Sequence, residues 1–140
     1  GGKLHFFGIG GALLSADVER FLREAKFPYA IGYGLTETSP LIAGCAPSIT
    51  KFRSTGPVIP NISVRIADPD ENGEGEIQVK GDNVMLGYYK DPDRTKEVFT
   101  TDKYFKTGDL GVIKNRYLYI KGRIKNVIVG PSGENIYGSF

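Results

Sequence analysis

The period of the apolar residues changes once along the chain, near Thr50, and this change limits the possible folds more than any other feature. Before it, the pattern is that of strand, helix, strand. Leu4 to Ile9 is short, apolar and ends in glycines, so it reads as a buried strand. Ser15 can cap the following helix. Val18, Phe21, Leu22 and Ala25 then recur at the spacing of one helix face, with Asp17, Glu19, Arg20, Arg23 and Glu24 on the solvent side. Tyr29-Ala30-Ile31, after Pro28, reads as a second buried strand, and Phe6, Phe7, Phe27 and Tyr29 read as core. This order predicts an α/β layer with parallel neighbours. After Thr50 the period is two. Ile62, Val64 and Ile66 alternate with polar residues, as do Ile77 and Val79, with the turn pair Asn72-Gly73 between the two runs. Leu110 to Ile113 and Tyr117 to Ile120 flank Lys114-Asn115-Arg116 as a further hairpin, and Asp91-Pro92 can open a short helix carrying Val98 and Phe99.

Composition excludes several functions. The chain has 140 residues, the length of one ordinary domain, and 40% are hydrophobic. Eighteen basic residues face sixteen acidic ones, net +2, and they are scattered, so nothing points to nucleic acid. No run approaches the ~18 apolar residues of a transmembrane helix, and no signal peptide opens the chain. Cys45 is the only cysteine and reads as a small packed residue. A reduced, cytoplasmic setting is expected, with peripheral membrane contact of the full-length protein left open. His5, the only histidine, lies in an apolar run and reads as a packed or edge residue. No Cys/His cluster offers a zinc site.

The stretch Gly32-Tyr33-Gly34-Leu35-Thr36-Glu37-Thr38 concentrates groups that suit a nucleotide. Glycines let backbone amides approach a ligand. Tyr33 offers a flat face to a base. Thr36 can donate to a phosphate oxygen. Glu37 can hold Mg2+, which binds through few carboxylates and the substrate's own phosphates. On this sheet layout, the Gly-Tyr-Gly turn and the Gly10-Gly11-Ala12 turn both fall at the C-terminal ends of strands, where open α/β sheets bind ligands. Gly8 and Gly10 also begin a dinucleotide fingerprint, but Leu13 stands where its third small residue belongs.

Three more segments follow in order: Tyr104-Phe105-Lys106-Thr107-Gly108-Asp109, then Gly122-Arg123-Ile124-Lys125, then Gly133-Glu134-Asn135-Ile136. With Gly10-Gly11-Ala12 and Gly32 to Thr38, they resemble the later motifs of the adenylate-forming superfamily: acyl-CoA synthetases, luciferases and peptide-synthetase adenylation domains. The resemblance covers about Phe6 to Tyr137. Asn83 to Tyr89 and Tyr104 to Asp109 look most like long-chain fatty acid–CoA ligases. The resemblance implies that Gly10, Gly11 and Ala12 lie beside adenine, that Tyr33 stacks on it, and that Gly32 and Gly34 shape the same loop. It gives Thr36 to a phosphate, Glu37 to Mg2+, Asp109 to the two ribose hydroxyls and Arg123 to ribose or phosphate. Lys125 would be the hinge before a small C-terminal domain, and Gly133 would belong to the loop that approaches CoA.

The fold implied is the end of an α/β nucleotide-binding subdomain over residues 1–50, an antiparallel β-rich subdomain in the form of a distorted barrel over 51–125, and the start of a C-terminal domain over 126–140. The whole would be a segment of a larger enzyme that joins a fatty acid to CoA, using ATP and Mg2+ and releasing AMP. Two catalytic parts of that superfamily, a Ser/Thr/Gly/Lys-rich phosphate loop and a C-terminal lysine, are not among these residues, so the isolated segment is expected to be inactive. The alternatives are a nucleotide-binding module without catalysis, and an adenylating enzyme for another carboxylic acid or acceptor.

Overall fold

Strand β1 (Phe7–Ile9), helix α1 (Ala16–Glu24) and strand β2 (Tyr29–Ile31) form the expected strand, helix, strand succession of the first segment in a computed structural model, which describes residues 2–10, 14–129 and 135–137, the stretches 127–129 and 135–137 by backbone alone. β1 and β2 are parallel, with Phe7 opposite Tyr29 and Ile9 opposite Ile31. Parallel neighbours need a crossover, and α1 lies between them in sequence. Its start is set by Ser15, whose hydroxyl accepts from the Val18 amide at 3.3 Å.

The burial differs from the sequence expectation in two places. β2 is buried throughout, but in β1 Phe7 is 45% exposed, and Phe6 and Phe27 are exposed as well. β1 has β2 as its one partner strand among the described residues, so its other edge stays open. The face of α1 is also turned. Val18 and Phe21 are exposed at 46% and 67%, while Glu19 is fully buried. The cause is hydrogen bonding. Glu19 accepts from the Tyr29 hydroxyl at 2.8 Å and from the Arg53 amide at 3.0 and 3.1 Å, with the Arg53 guanidinium 3.7 Å away. A buried carboxylate satisfied this fully can outweigh an apolar stripe that has nothing to pack on.

Strands β3 (Tyr33–Gly34) and β4 (Leu41–Ala43) are antiparallel and enclose a single 3-10 turn at Thr36–Thr38. Gly34 is required by a close approach, since a Cβ there would lie 1.8 Å from the Pro40 carbonyl oxygen.

Strands β5 (Ile62–Ala67), β6 (Gly75–Gly81), β7 (Phe105–Lys114) and β8 (Tyr117–Arg123) make one antiparallel sheet in that order. Ile62, Val64 and Ile66 on β5 pair with Gly81, Val79 and Ile77 on β6, so the alternating apolar residues share one face. At the first hairpin, Asp70 Oδ1 accepts from the Asn72 and Glu74 amides, and Gly73 takes a φ of 76°. At the β7–β8 turn, Asn115 and Arg116 both take positive φ, 49° and 70°, as a tight two-residue hairpin demands. Helix α2 (Pro92–Val98) starts as expected at Asp91, whose carboxylate accepts from the Arg94 amide. Strands β9 (Val127–Val129) and β10 (Asn135–Tyr137) form an antiparallel pair beyond a 3-10 turn at Ile124–Asn126.

The antiparallel sheet is open, not a closed barrel. β5 and β8 are its edges and are not bonded to each other. The edge of β8 is taken instead by residues 55–58. The Thr55 amide donates to the Leu118 carbonyl, the Leu118 amide to the Gly56 carbonyl and the Val58 amide to the Arg116 carbonyl, at 2.9, 2.9 and 3.2 Å. The same stretch reaches β4 on its other side. The Gly44 amide donates to the Pro57 carbonyl at 3.1 Å, and the Ile59 amide donates to the Ile42 carbonyl at 3.0 Å. The backbone ladder therefore runs on into β4 rather than closing on β5. One core spans the junction: Ile42 and Ala43 on β4, Ile77 and Val79 on β6 and Leu118 on β8, all fully buried. Each larger side chain of this kind contributes about 1.5–3 kcal/mol on burial.

Candidate functional site

Continuity from β3 through β4 and residues 55–59 to β8 and β7 brings Tyr33 beside Asp109, 76 residues away. The Tyr33 hydroxyl donates to Asp109 Oδ2 at 2.7 Å. Arg123 stands opposite Asp109 in the β7–β8 register, and its Nε lies 3.4 Å from Asp109 Oδ1. Thr107 anchors the approach: its hydroxyl donates to the Ile77 carbonyl at 2.7 Å and accepts from the Asp109 amide at 3.1 Å. Between them Gly108 takes a φ of 74° and donates its amide to Glu76 Oε1 at 3.2 Å.

Asp109 is 5% exposed. Burial pushes its carboxyl above the ordinary carboxylate value, and the Tyr33 hydroxyl and Arg123 guanidinium offset part of that. Burial, followed by the negative charge of Asp109, pushes the Tyr33 phenol well up, so it remains a donor to the carboxylate. An ionised carboxylate has about four acceptor directions. With one bond to Tyr33 and one ion pair to Arg123, Asp109 retains acceptor capacity for hydroxyl donors. The Tyr33 ring is half-buried against the core around Ile42.

Glu37 forms a second pole on the Thr36–Thr38 turn. Its Oε1 accepts from the Tyr88 hydroxyl at 3.0 Å, and its backbone carbonyl accepts from the Met85 amide at 2.8 Å. Oε2 has no partner among the described residues. Thr36 is exposed, with its hydroxyl likewise unpartnered among them. Thr38 is different. Fully buried, its hydroxyl accepts from the Leu35 amide and donates to the Pro40 carbonyl, so it closes the turn. No group of three or more metal-ligating side chains occurs among the described residues. An unpartnered carboxylate oxygen fits Mg2+, which keeps waters and substrate phosphates as its other ligands.

Gly10 and Gly32 meet at the end of the parallel strands, where the Gly32 amide donates to the Ile9 carbonyl at 2.8 Å. A cleft of about 310 Å³ opens there, lined by Phe6, Ile9, Gly10, Ile31, Gly32 and Leu41 among others. A Cβ at Gly10 would meet nothing closer than the Gly32 carbonyl at 3.9 Å, so space beside it is open. Lys125 is exposed on the turn after β8. Gly11, Ala12 and Gly133 lie outside the described residues.

Three residues have structural roles that sequence reasoning did not give them. Glu19 was assigned to a solvent face, and nothing in a helical period tells a buried, satisfied carboxylate from an exposed one. Asn83, whose side-chain amide donates to the Thr38 and Leu41 carbonyls, and Tyr88 lie in a loop without periodicity. No short-range signal links them to residues some 45 to 51 positions earlier.

Comparison with known proteins places the chain in a family. The AMP-binding enzyme family matches residues 1–89. Long-chain-fatty-acid–CoA ligase 1 of Saccharomyces cerevisiae is 34% identical over 97% of the chain and 20% of its own length. The O-succinylbenzoate coenzyme A synthetase of Bacillus subtilis, solved in complex with ATP and magnesium ion, is 33% identical over 94% of this chain and 29% of that one, with a TM-score of 0.79. The same enzyme in complex with its acyl-adenylate intermediate is 32% identical over 96% of this chain and 29% of that one, with a TM-score of 0.83. The chain spans about a fifth of the length of the curated relatives it matches. Relatives that activate carboxylic acids, together with the family match over more than half its residues, identify the chain as a member of the AMP-binding enzyme family.

Proposed function

We propose that the full-length protein is an ATP-dependent acid–CoA ligase, with a long-chain fatty acid as its carboxylic acid, and that this chain supplies its ribose and cation contacts. In the first step a carboxylate oxygen attacks the α-phosphorus of ATP, and pyrophosphate leaves to give acyl-AMP. In the second, the CoA thiol attacks the acyl carbon, AMP leaves and the thiol proton is released. The observation that carries this reading is the meeting of Tyr33, Asp109 and Arg123 across distant strands, with the carboxylate of Glu37 as a separate pole.

Asp109 accepts hydrogen bonds from the ribose, held in its acceptor state by Arg123 and oriented by Tyr33. Thr36 donates to a phosphate oxygen. Glu37 holds Mg2+, which when bound neutralises phosphate charge. Arg123 adds positive charge near the sugar and phosphate. These contacts accelerate by orientation and charge stabilisation rather than by covalent chemistry. The cleft at Gly10 and Gly32 takes the adenine side, and Lys125 serves as the hinge between the two steps. The isolated chain, a fifth of such an enzyme, makes no acyl-AMP. Among the described residues no helix is long and apolar enough to cross a membrane.

The fatty-acid reading is supported by the yeast relative. The succinylbenzoate enzyme favours a second reading, an aromatic or dicarboxylic acid. Pyrophosphate release by the full-length protein, measured across aliphatic acids of increasing length and aromatic acids, decides between them. Release that rises with aliphatic chain length is expected. Release with aromatic acids alone overturns the fatty-acid assignment, and no release with any acid overturns the ligase reading.

A further inference from the structure

Two adjacent tyrosines in one loop behave in opposite ways. Tyr89 is 87% exposed, whereas Tyr88 turns inward and donates to Glu37 Oε1. What turns it is α2. The Tyr88 amide donates to the Thr95 hydroxyl at 2.8 Å, and that hydroxyl donates to the Asp91 carbonyl at 2.7 Å. The Arg94 guanidinium lies 4.5 Å over the Tyr88 ring, and the Arg94 amide donates to Asp91 Oδ1. Gly87 lets the loop approach this closely, for a Cβ there would lie 2.7 Å from Thr95 Cγ2. The same loop holds the backbone around Glu37: the Met85 amide donates to the Glu37 carbonyl, and Asn83 donates to the Thr38 and Leu41 carbonyls. Both the main chain and one side-chain oxygen of Glu37 are thus fixed from a single loop.

We infer that Tyr88 is a positioning residue for Glu37, itself held by the first turn of α2, and that it fixes the carboxylate so that Oε2 faces the cation of a bound nucleotide. This rests on the cation role proposed above for Glu37. A glutamate on a turn has several side-chain rotamers, and a cation ligand is effective in few of them. The hydrogen bond from Tyr88 removes the others before the ligand arrives. It also leaves Oε2 without a protein partner among the described residues.

The test uses the full-length protein and calorimetric ATP binding at increasing Mg2+, with metal-free AMP binding as the reference. Tyr88→Phe keeps the ring and its contact with Arg94, so the unfolding midpoint serves only to check the fold. The Mg2+ concentration that half-restores ATP binding is expected to rise about tenfold, the scale of one hydrogen bond to a charged group. AMP affinity should stay within about twofold, as for independent sites. Thr95→Val, which removes the hydroxyl that holds the Tyr88 amide, should shift the Mg2+ requirement in the same direction by less. In a Glu37→Gln background, Tyr88→Phe should have no further effect on the requirement, because Tyr88 acts through that carboxylate. An unchanged Mg2+ requirement in Tyr88→Phe, or an equal further shift on top of Glu37→Gln, overturns the inference and leaves the ligase reading intact. Absence of metal-dependent ATP binding in the unsubstituted protein overturns both, and is seen before any variant is made.

Discussion

Buried at 5% exposure, the Asp109 carboxylate loses solvation on folding that Tyr33 and Arg123 restore only in part. The sign of the pH effect follows. A carboxyl whose folded pKa is raised contributes most stability below its ordinary unfolded value of 3.8, and that contribution is lost as pH rises through the folded value. Near neutral pH the charged Asp109 therefore weakens the fold while it serves the site. Asp109→Asn should leave the unfolding midpoint of the full-length protein unchanged or higher at pH 7, and that advantage should vanish as the pH is lowered below about 4. Nucleotide affinity should fall in the same variant. Thermal unfolding across this pH range, with AMP binding measured in parallel, checks the pair of effects. A midpoint that drops at pH 7 would mean that the carboxylate holds the fold together through Arg123.

Elements built on periodicity were legible, and elements built on distant polar contacts were not. Alternation at Ile62, Val64, Ile66, Ile77 and Val79 placed β5 and β6 correctly because a strand's side-chain period is a local property. Ser15 and Asp91 marked the starts of α1 and α2 because capping is local too. The orientation of α1 was misread, since Glu19 turns inward for Tyr29 and for Arg53, which lies 34 residues further on. The motif tyrosine, carboxylates and arginine were recognisable as types, but the Tyr33–Asp109 bond depends on the path of residues 55–59 between β4 and β8, which no pattern announced. A distorted barrel was implied by the family resemblance rather than by any local pattern, while the observed sheet spends its β8 edge on that same stretch. The buried carboxylate of α1 gives a sharp contrast. Glu19→Ala should destabilise the full-length protein by about 1–3 kcal/mol for each donor left unsatisfied. Asp17→Ala breaks only the exposed pair with Arg20 and should change stability by under about 1 kcal/mol. Denaturant unfolding of the two variants measures the difference. At the turn Ile124–Asn126, the hinge assignment predicts that Lys125→Pro, which locks one torsion, spares acyl-AMP formation and abolishes transfer to CoA, whereas Lys125→Ala is mild. Separate assays of the two steps check it; loss of both together would point to misfolding.

At the scale of the whole molecule, one continuous backbone ladder from β3 to β5 and one core around Ile42, Ile77 and Leu118 hold the two poles in fixed relation. Asp109 lies where strands β7 and β8 meet Tyr33, and Glu37 lies on the turn between β3 and β4, held by the loop before α2. The central claim is that these poles divide the labour: ribose at Asp109, cation at Glu37. Because ribose is common to ATP and AMP, Asp109→Ala should weaken both alike, by about 1.5–3 kcal/mol, the range for a hydrogen bond to a charged group. Because the cation accompanies the polyphosphate, Glu37→Gln should leave AMP binding within about twofold while weakening Mg2+-dependent ATP binding. The most direct measurement is AMP affinity, by calorimetry, of the unsubstituted full-length protein and these two variants without metal. A large loss for Asp109→Ala alone is the expected result; equal losses for Asp109→Ala and Glu37→Gln would contradict the division.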